Sequence, residues 1–285
     1  MKKISFLLIL IICLTGCIKM DNMENINVYT TNYSTFYITK RLYGKYSKVK
    51  SIYPSGVNIG EYNLTDKQLR DYSSSDLFIF NGLSNEKKYI SKMRDYNKDL
   101  RIIDTTLSME YVNDISELWL NPSNFLMMAS NIKKGLNEYI DSYYLNNKIK
   151  ENYEKLKVEL SSLDAKYQDA VKNSSYKAII TSDKVFKYLE KYGLSVYVLD
   201  ENDSNFDITL TEVKGLIKKG LIKYVYIKNN EEINNSIKSL MDTYNITSLS
   251  WYTLENLSEE EINDNEDYFT LMNKNLDALK NELYK

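Results

Sequence analysis

The chain has 285 residues, 27% of them charged and 43% hydrophobic, which is enough for one large or two ordinary domains with buried cores. Its 37 basic and 39 acidic residues give a formal net charge of -2, so we expect no nucleic-acid partner. The chain contains no His, which removes Ser-His-Asp and Cys-His catalysis and every His-bearing zinc site. We therefore expect a protein that is not an enzyme.

The first residues have the layout of an exported lipoprotein. Two Lys precede an apolar run at 4–14, which is typical of a secretory signal and too short to cross a bilayer. The sequence Leu-Thr-Gly-Cys at 14–17 is similar to a bacterial lipobox, in which a peptidase cuts before the Cys and Cys17 is acylated. We expect a signal peptide at 1–16 and a tether at 17–25, on the outer face of the bacterial cytoplasmic membrane.

Short apolar runs alternate with helical patterns in two parts of the chain. In the first part the predicted strands are 26–30, 49–53, 77–81 and 101–104, and the predicted helices are 33–43 and 65–72. In the second part the strands are 178–181, 196–199, 224–227 and 248–251, and the helices are 185–192, 210–219 and 231–244. This alternation predicts an α/β fold with two βα lobes, each built on a mostly parallel sheet.

A segment without strand character separates the two parts. Its apolar residues follow a three-then-four spacing from Tyr153 to Ala170, which predicts one amphipathic helix over 146–172, about 40 Å long. We favour a packed connecting helix over a dimeric coiled coil because the heptads are few. The expected boundaries are 26–121 for the first lobe, 122–174 for the connecting segment and 175–285 for the second lobe.

Four sequence segments, in order and over a matching length, are shared with one protein family. They are Pro-Ser-Gly at 54–56 with Glu61 and Tyr62, the run ending in Asn-Gly-Leu at 75–83 with Glu86, Glu-Leu-Trp-Leu-Asn-Pro at 117–122, and Leu-Ser-Glu-Glu-Glu at 257–261 with Asp267 and Tyr268. The chain resembles the zinc- and manganese-type (ZnuA-like, or lipoprotein-adhesin) substrate-binding proteins of ABC importers. The resemblance implies a monomer that captures a small cargo in the cleft between its lobes and delivers it to a permease.

The resemblance also assigns candidate cargo-binding residues. The family holds one metal ion through His and carboxylate side chains, and its three His positions fall here on Gly60, Glu117 and Asp183. The fourth position, an acid in the family, falls on Tyr252 or, with a shift, on Glu255. We expect the carboxylates of Glu117 and Asp183 to point into the cleft, within reach of one ligand. The full candidate set is Gly60, Glu61, Glu117, Asp183, Tyr252 and Glu255, with Tyr62 and Trp119 as cleft walls.

The nature of the cargo follows from the donor atoms, because no family position keeps a His. Zinc favours nitrogen and sulfur ligands, whereas an all-oxygen set suits Mn²⁺, Ca²⁺, Mg²⁺ or Fe³⁺. One alternative is an amino acid or amine, whose ammonium group would lie between the two carboxylates. Another is a cargo-free adhesin or interaction protein, in which Glu117 and Asp183 pair with local Lys such as Lys184.

Overall fold

The computed structural model describes residues 22–284 and begins with a sheet of four parallel strands. Its strand order is β2-β1-β3-β4, and β1 pairs with β2 from Ile26 opposite Ser47 to Thr30 opposite Ser51. The elements are β1 Ile26–Thr30, α1 Tyr33–Tyr43, β2 Ser47–Ser51, α2 Asp66–Ser73, β3 Leu77–Phe80, α3 Lys87–Tyr96 and β4 Arg101–Asp104. We call this sheet and its helices the first lobe.

A second parallel sheet, with strand order β6-β5-β7-β8, repeats the arrangement later in the chain and forms the second lobe. Its elements are β5 Ala178–Thr181, a 3-10 helix Lys184–Tyr192, β6 Ser195–Val198, α7 Phe206–Lys218, β7 Tyr224–Lys228, α8 Asn235–Tyr244 and β8 Thr247–Trp251. The predicted fold class, two βα lobes with parallel sheets joined by a long helix, is confirmed.

Helices connect the lobes and close the chain. They are α4 Glu117–Leu120, α5 Pro122–Tyr139, α6 Tyr143–Lys172, α9 Glu259–Asn263 and α10 Tyr268–Leu283. The long helix α6 has 30 residues and begins at Tyr143 because the Ser142 side chain accepts a hydrogen bond from the Leu145 N–H. The sequence predicted its end at residue 172 correctly and its start three residues late. Helix α5 was not predicted.

One hydrophobic core runs through both lobes. It contains Val28 of the first sheet, Val196 of the second and the buried face of α6, while smaller clusters lie on the outer face of each sheet. The final helix α10 also contacts the first lobe, because the Tyr268 ring lies 5.7 Å from the Tyr37 ring of α1, measured between ring centroids. The predicted lobe boundaries stay predictions, since this shared core marks no division between them.

The helices predicted at 210–219 and 231–244 begin at Phe206 and Asn235 in the structure. Two further predicted elements differ in position or type for identifiable reasons. Strand β2 lies two residues before its predicted position, because Ile52 and Tyr53 are buried in the loop that follows it instead of pairing in the sheet. The helix predicted at 185–192 has 3-10 geometry and starts after Asp183, whose side chain accepts a hydrogen bond from the Val185 N–H.

Within residues 22–284, no helix combines the length and the apolar character needed to cross a bilayer.

Candidate functional site

Two adjoining cavities lie between the lobes, where the carboxyl ends of the strands face each other. The first, of about 290 Å³, is lined largely by the first lobe, including Asn32 after β1 and Asn81 after β3. The second, of about 590 Å³, is lined largely by the second lobe, including Asp183 after β5. Asp114, Ile115, Trp119 and Glu255 line both cavities. Parallel α/β sheets commonly bind ligands at this edge.

Glu255 lies on a loop after β8 whose backbone is hydrogen-bonded to the first lobe. The Glu255 carbonyl accepts a hydrogen bond from the Tyr33 N–H at 2.9 Å, and the Leu257 carbonyl accepts one from the Gly56 N–H at 2.8 Å. Immediately before Glu255, Leu254 has a φ of 53°, a left-handed conformation that costs free energy in a residue with a branched side chain. The loop therefore holds the Glu255 carboxylate at the boundary of both cavities.

Trp119 fixes the same loop from the other side. Its indole Nε1–H donates to the Thr253 carbonyl at 2.7 Å, and only 2% of the side chain is exposed. The Asn256 amide nitrogen also donates to the Pro54 carbonyl at 2.9 Å. Trp119 thus lines both cavities and supports the loop that carries Glu255. Its role as a wall of a cargo-binding cleft stays a prediction.

Glu86 is the most unusual carboxylate of the first cavity. It is 4% exposed, and its Oε1 accepts a long hydrogen bond from the Tyr53 hydroxyl at 3.3 Å. Its buried Oε2 has no hydrogen-bond partner within residues 22–284. Burial raises the pKa of Glu86, and the nearby Glu255 carboxylate raises it further.

The turn before Glu86 depends on a glycine. The Gly82 N–H donates to Asp104 Oδ1 at 2.9 Å, and a Cβ on this residue would lie 2.0 Å from Asp104 Oδ2. Only glycine allows this approach. The turn carries Asn81, whose buried side-chain nitrogen has no partner in the described part of the chain, into the lining of the first cavity.

Glu255 has a raised pKa for related reasons. Burial is the largest cause and the Asp114 carboxylate adds to it, while the Lys228 ammonium acts in the opposite direction. Asp114 itself accepts hydrogen bonds from Ser116, including one from the backbone N–H at 2.9 Å. The buried Glu86 and the partly buried Glu255, both with raised pKa values, therefore line one cavity.

On the second lobe, Asp183 is paired with a lysine of its own lobe. Its Oδ1 accepts the Val185 N–H at 2.8 Å, and its Oδ2 accepts from Lys228 Nζ at 2.5 Å. Lys228 also lies 3.2 Å from a carboxylate oxygen of Glu231. Burial alone would lower the pKa of Lys228, but the bonds to both carboxylates outweigh it and raise that pKa. The partner of Asp183 is therefore Lys228, whereas the sequence suggested Lys184.

Glu117 has different surroundings from those the sequence predicted. Its carboxylate accepts the Val112 N–H at 3.1 Å, the Asn113 N–H at 3.1 Å and the Asn113 side-chain amide at 2.8 Å. It is 8% exposed and lines neither of the two cavities. In this conformation Glu117 stabilises the 112–113 loop. A direct role in cargo binding stays a prediction.

The other candidate residues from the sequence lie at different places in the structure. Gly60 and Tyr62 line the first cavity, and Tyr252 lines the second. The backbone of Tyr252 is held on both sides by the Asn275 side chain, at 2.8 Å in each direction. Glu61 is exposed and lines neither cavity. Cys17 lies outside the described residues.

Glu86, Asn81 and Asp114 are cavity residues that the sequence did not single out as candidates. Glu86 and Asn81 belong to a segment that carries the family resemblance, so that segment was the available signal. Asp114 had no comparable signal, because it lies in an irregular loop before α4.

The two cavities together carry negative charge. Their acids are Glu86, Asp114, Asp183, Glu231, Glu255 and Glu261, and their bases are Lys88, Lys184 and Lys228. Six acids against three lysines leave a net charge of -3 in the cleft, compared with -2 for the whole chain of 285 residues. Such a cleft attracts cations and repels anions.

No three His, Cys, Asp or Glu side chains within residues 22–284 lie close enough together to hold a metal ion. The donors available to a cation in the cleft are oxygens of carboxylates, amides and tyrosines, which suit hard cations.

Comparison with known proteins decides the family. A family model described as "Zinc-uptake complex component A periplasmic" matches residues 28–282. The chain belongs to this family. Its curated relatives include proteins named as substrate-binding lipoproteins of metal and manganese ABC transporters. This favours the metal-transport interpretation of the sequence over its alternatives.

Individual relatives are distant but extend over most of the chain. The zinc-binding lipoprotein AdcA of Streptococcus pneumoniae R6 is 26% identical over 98% of this chain, which spans 61% of the length of that relative. The metal ABC transporter substrate-binding lipoprotein ScbA of Streptococcus cristatus is 25% identical, and all of both chains is covered. The manganese ABC transporter substrate-binding lipoprotein PsaA of Streptococcus mitis is 24% identical over 98% of this chain and 96% of its own.

Solved structures of the family share the fold. The Zn(II)-bound ZnuA-like domain of Streptococcus pneumoniae AdcA has a TM-score of 0.73 at 24% identity, covering 92% of this chain and all of its own. The metal-dependent lipoprotein YcdH of Bacillus subtilis has a TM-score of 0.75 at 23% identity, with the same coverage.

Proposed function

We propose that this protein is the extracytoplasmic substrate-binding lipoprotein of an ABC importer, and that its cargo is a metal cation bound by oxygen donors at the first cavity. Cys17 carries the lipid anchor, and the cargo is delivered to a cognate permease. The observation that carries the proposal is the Glu86 carboxylate, which is buried in the interlobe cavity with one oxygen unpartnered and with Glu255 nearby.

The argument rests on the free-energy cost of buried charge. A carboxylate removed from water without a counter-ion is destabilised, and a second carboxylate beside it adds repulsion. Burial and the Glu255 carboxylate raise the pKa of Glu86 against the opposing effect of Lys88. Burial and the Asp114 carboxylate raise the pKa of Glu255 against the opposing effect of Lys228. A bound cation would interact favourably with both carboxylates. Relief of the free-energy cost of burying them would therefore contribute to the free energy of cargo binding.

The chemistry of the donors selects among the metals. Some relatives are named for zinc and others for manganese, but this chain has no His to offer. Zinc prefers imidazole and thiolate ligands, whereas Mn²⁺ accepts carboxylate and carbonyl oxygens. We therefore propose Mn²⁺ as the first cargo to test, with Ca²⁺, Mg²⁺ and Fe³⁺ as the other hard cations.

The test is elemental analysis and native mass spectrometry of protein purified without chelator, followed by titration of the emptied protein with each metal. Glu255→Gln should weaken Mn²⁺ binding by at least about 30-fold, because removal of one partner of a desolvated charge pair costs 2 kcal/mol or more. Glu212→Gln removes an exposed acid of α7 on the second lobe and is the matched control, with no expected effect. Equal affinities of the two variants would contradict the proposal.

A small zwitterion is the second candidate cargo, and two atoms of the first cavity favour it. The Asn81 side-chain nitrogen is an unpartnered donor and Glu86 Oε2 an unpartnered acceptor. An amino acid could satisfy both, with its carboxylate on Asn81 and its ammonium on Glu86, between the aromatic walls Tyr62 and Trp119. An organic ligand in native mass spectra, without metal, would support this candidate. Binding of neither class would support the cargo-free interaction protein.

Lipid attachment needs its own measurement. Cells grown with labelled palmitate should incorporate the label into the wild-type chain and not into Cys17→Ser, and the variant should be released from the membrane fraction. Retention of the label in the variant would contradict attachment at Cys17.

A further inference from the structure

A surface of tyrosines lies beside the point where the tether enters the fold. Near the start of the described chain, the Met23 carbonyl accepts a hydrogen bond from the Tyr43 hydroxyl at 2.7 Å, and the Met23 side chain is buried. Two residues later the Asn25 N–H donates to the Tyr46 carbonyl at 2.7 Å. Tyr46 is therefore a direct neighbour of the tether.

Tyr46 contacts the first turn of α6. Its hydroxyl lies 3.0 Å from the Tyr144 hydroxyl, and the two rings meet edge to face with centroids 6.0 Å apart. Tyr144 is 55% exposed and the adjacent Tyr143 is 82% exposed. We call Tyr46, Tyr143 and Tyr144 the tyrosine face.

Lysines surround the tyrosine face. Lys45 lies over the Tyr46 ring and Lys148 over the Tyr144 ring, at 5.7 and 5.8 Å from the ring centroids. The segments 22–25, 44–48 and 141–151 contain four Lys and three acids, a local charge of +1 in a chain whose net charge is -2. This end of the molecule thus combines exposed tyrosines with positive charge.

We propose that the tyrosine face rests on the anionic surface of the membrane to which the protein is tethered. Tyrosine is favoured at membrane interfaces because its ring is apolar and its hydroxyl is polar, and lysines are attracted to anionic lipids. The proposal builds on attachment at Cys17.

The short tether keeps the tyrosine face close to the membrane. From Cys17 to Met23 the chain can span at most about 20 Å, so the tyrosine face stays near the bilayer in every orientation. At such a short separation the effective concentration of the surface is high, and contacts too weak to hold a free protein suffice.

The contact also sets the height of the cleft. Ile26 and Ser47 lie at the amino end of the first sheet, beside the tether, whereas Asn32 and Asn81 follow its carboxyl ends and line the first cavity. A five-residue strand spans about 17 Å, so β1 separates the first cavity from the tether end of the sheet by about this length.

Hydrogen exchange can test the proposal without relying on acylation by the cell. Cys17 is the only Cys that remains after Cys13 leaves with the predicted leader, so the chain 17–285 can be coupled through its thiol to a maleimide-bearing lipid in phosphatidylglycerol vesicles. Coupling should slow amide exchange in 142–148 several-fold. Exchange in 206–212, the first turn of α7 with Ile208 63% exposed, should not change.

Variants separate the tyrosine face from general crowding at the membrane. Tyr143→Ser with Tyr144→Ser should abolish the protection, Tyr143→Ser alone should reduce it, and Ile208→Ser should leave it intact. Absent protection, or equal protection of both helix starts, would overturn the membrane contact, and so would protection that appears without vesicles and grows with protein concentration, since that indicates a second copy. Palmitate incorporation by cells tests attachment at Cys17 separately, so the two proposals fail independently.

Discussion

Glu86 on the first lobe and Asp183 on the second line the same cleft, but their surroundings are opposite. Asp183 is neutralised by Lys228 and bonded to the Val185 N–H. Glu86 has one long bond from Tyr53 and one oxygen without a partner in the described chain. The first side of the cleft therefore has a buried carboxylate oxygen without a hydrogen bond, whereas the carboxylate on the second side is fully bonded. Under the proposed function, we expect capture to begin on the first side.

A change of pH should disturb the first side most. Because burial raises the pKa of Glu86 and of Glu255, protons compete with a cation at higher pH than they would at an ordinary Glu. Below the raised pKa, affinity should fall about tenfold per pH unit for each carboxylate that must lose a proton. Calorimetric titration of Mn²⁺ at successively lower pH measures this, and a midpoint no higher than that of an ordinary Glu would contradict a role for the two carboxylates as ligands.

Lys228→Met should make the second side resemble the first. The substitution leaves Asp183 and Glu231 without their ammonium partner, which should cost about 1–2 kcal/mol of stability because the group is nearly a third exposed. Cation affinity should rise about tenfold. The control is Lys187→Met, which breaks a similar pair with Glu190 away from both cavities. Unchanged affinity in Lys228→Met would mean that the second side takes no part in binding.

Glu86→Gln should stabilise the empty protein while weakening capture. The folded-state pKa of Glu86 lies above its unfolded value, so its contribution to stability is lost as pH rises from the ordinary range of Glu through the raised pKa. At pH 7.5 the variant should melt about 2–4 °C higher, the shift that about 1 kcal/mol gives in a chain of this size. At pH 4.5 the difference should shrink. A lower melting temperature at both pH values would contradict the assignment of Glu86 as a destabilised acid.

Tyr53→Phe should have the smallest effect, because it removes only the 3.3 Å bond to Glu86. Stability should change by about 0.5–1 kcal/mol, and the pH midpoint of cation binding should move upward. Tyr72→Phe removes a hydroxyl bond of similar length to the Ile52 carbonyl, at 3.2 Å, and should leave that midpoint in place. Equal midpoint shifts in the two variants would refute a specific role for Tyr53.

The sequence predicts the fold well because its signals are local. The strands at 26–30 and 101–104 were predicted with their observed limits, since β-branched and aromatic runs end there at polar residues. Helix α5 was not predicted, because the only signal recognised in the first part of its segment was the absence of strand character. Strand β2 was misplaced because Ile52 is buried by loop packing, which periodicity does not distinguish from burial in a strand.

The candidate site is less predictable for a physical reason. Family alignment found Glu255 and Asp183, which line the cavities, but also Glu117, whose carboxylate binds the 112–113 loop. Which acid accepts local N–H groups depends on how an irregular loop folds back, and residue spacing does not encode that. The burial of Glu86 likewise depends on residues distant in sequence, such as Tyr53.

The loop that carries Glu255 follows the second lobe in the sequence but is hydrogen-bonded to the first lobe in the structure. Glu255 follows β8 of the second lobe, yet its backbone is bonded to Tyr33 and that of Leu257 to Gly56, both in the first lobe, while Thr253 is bonded to Trp119 of the connecting helix α4. Glu86 and Glu255 thus lie on one side of the cleft, and Asp183 lies on the other. If the lobes separate during transport, we expect a cargo bound by Glu86 and Glu255 to stay with the first lobe.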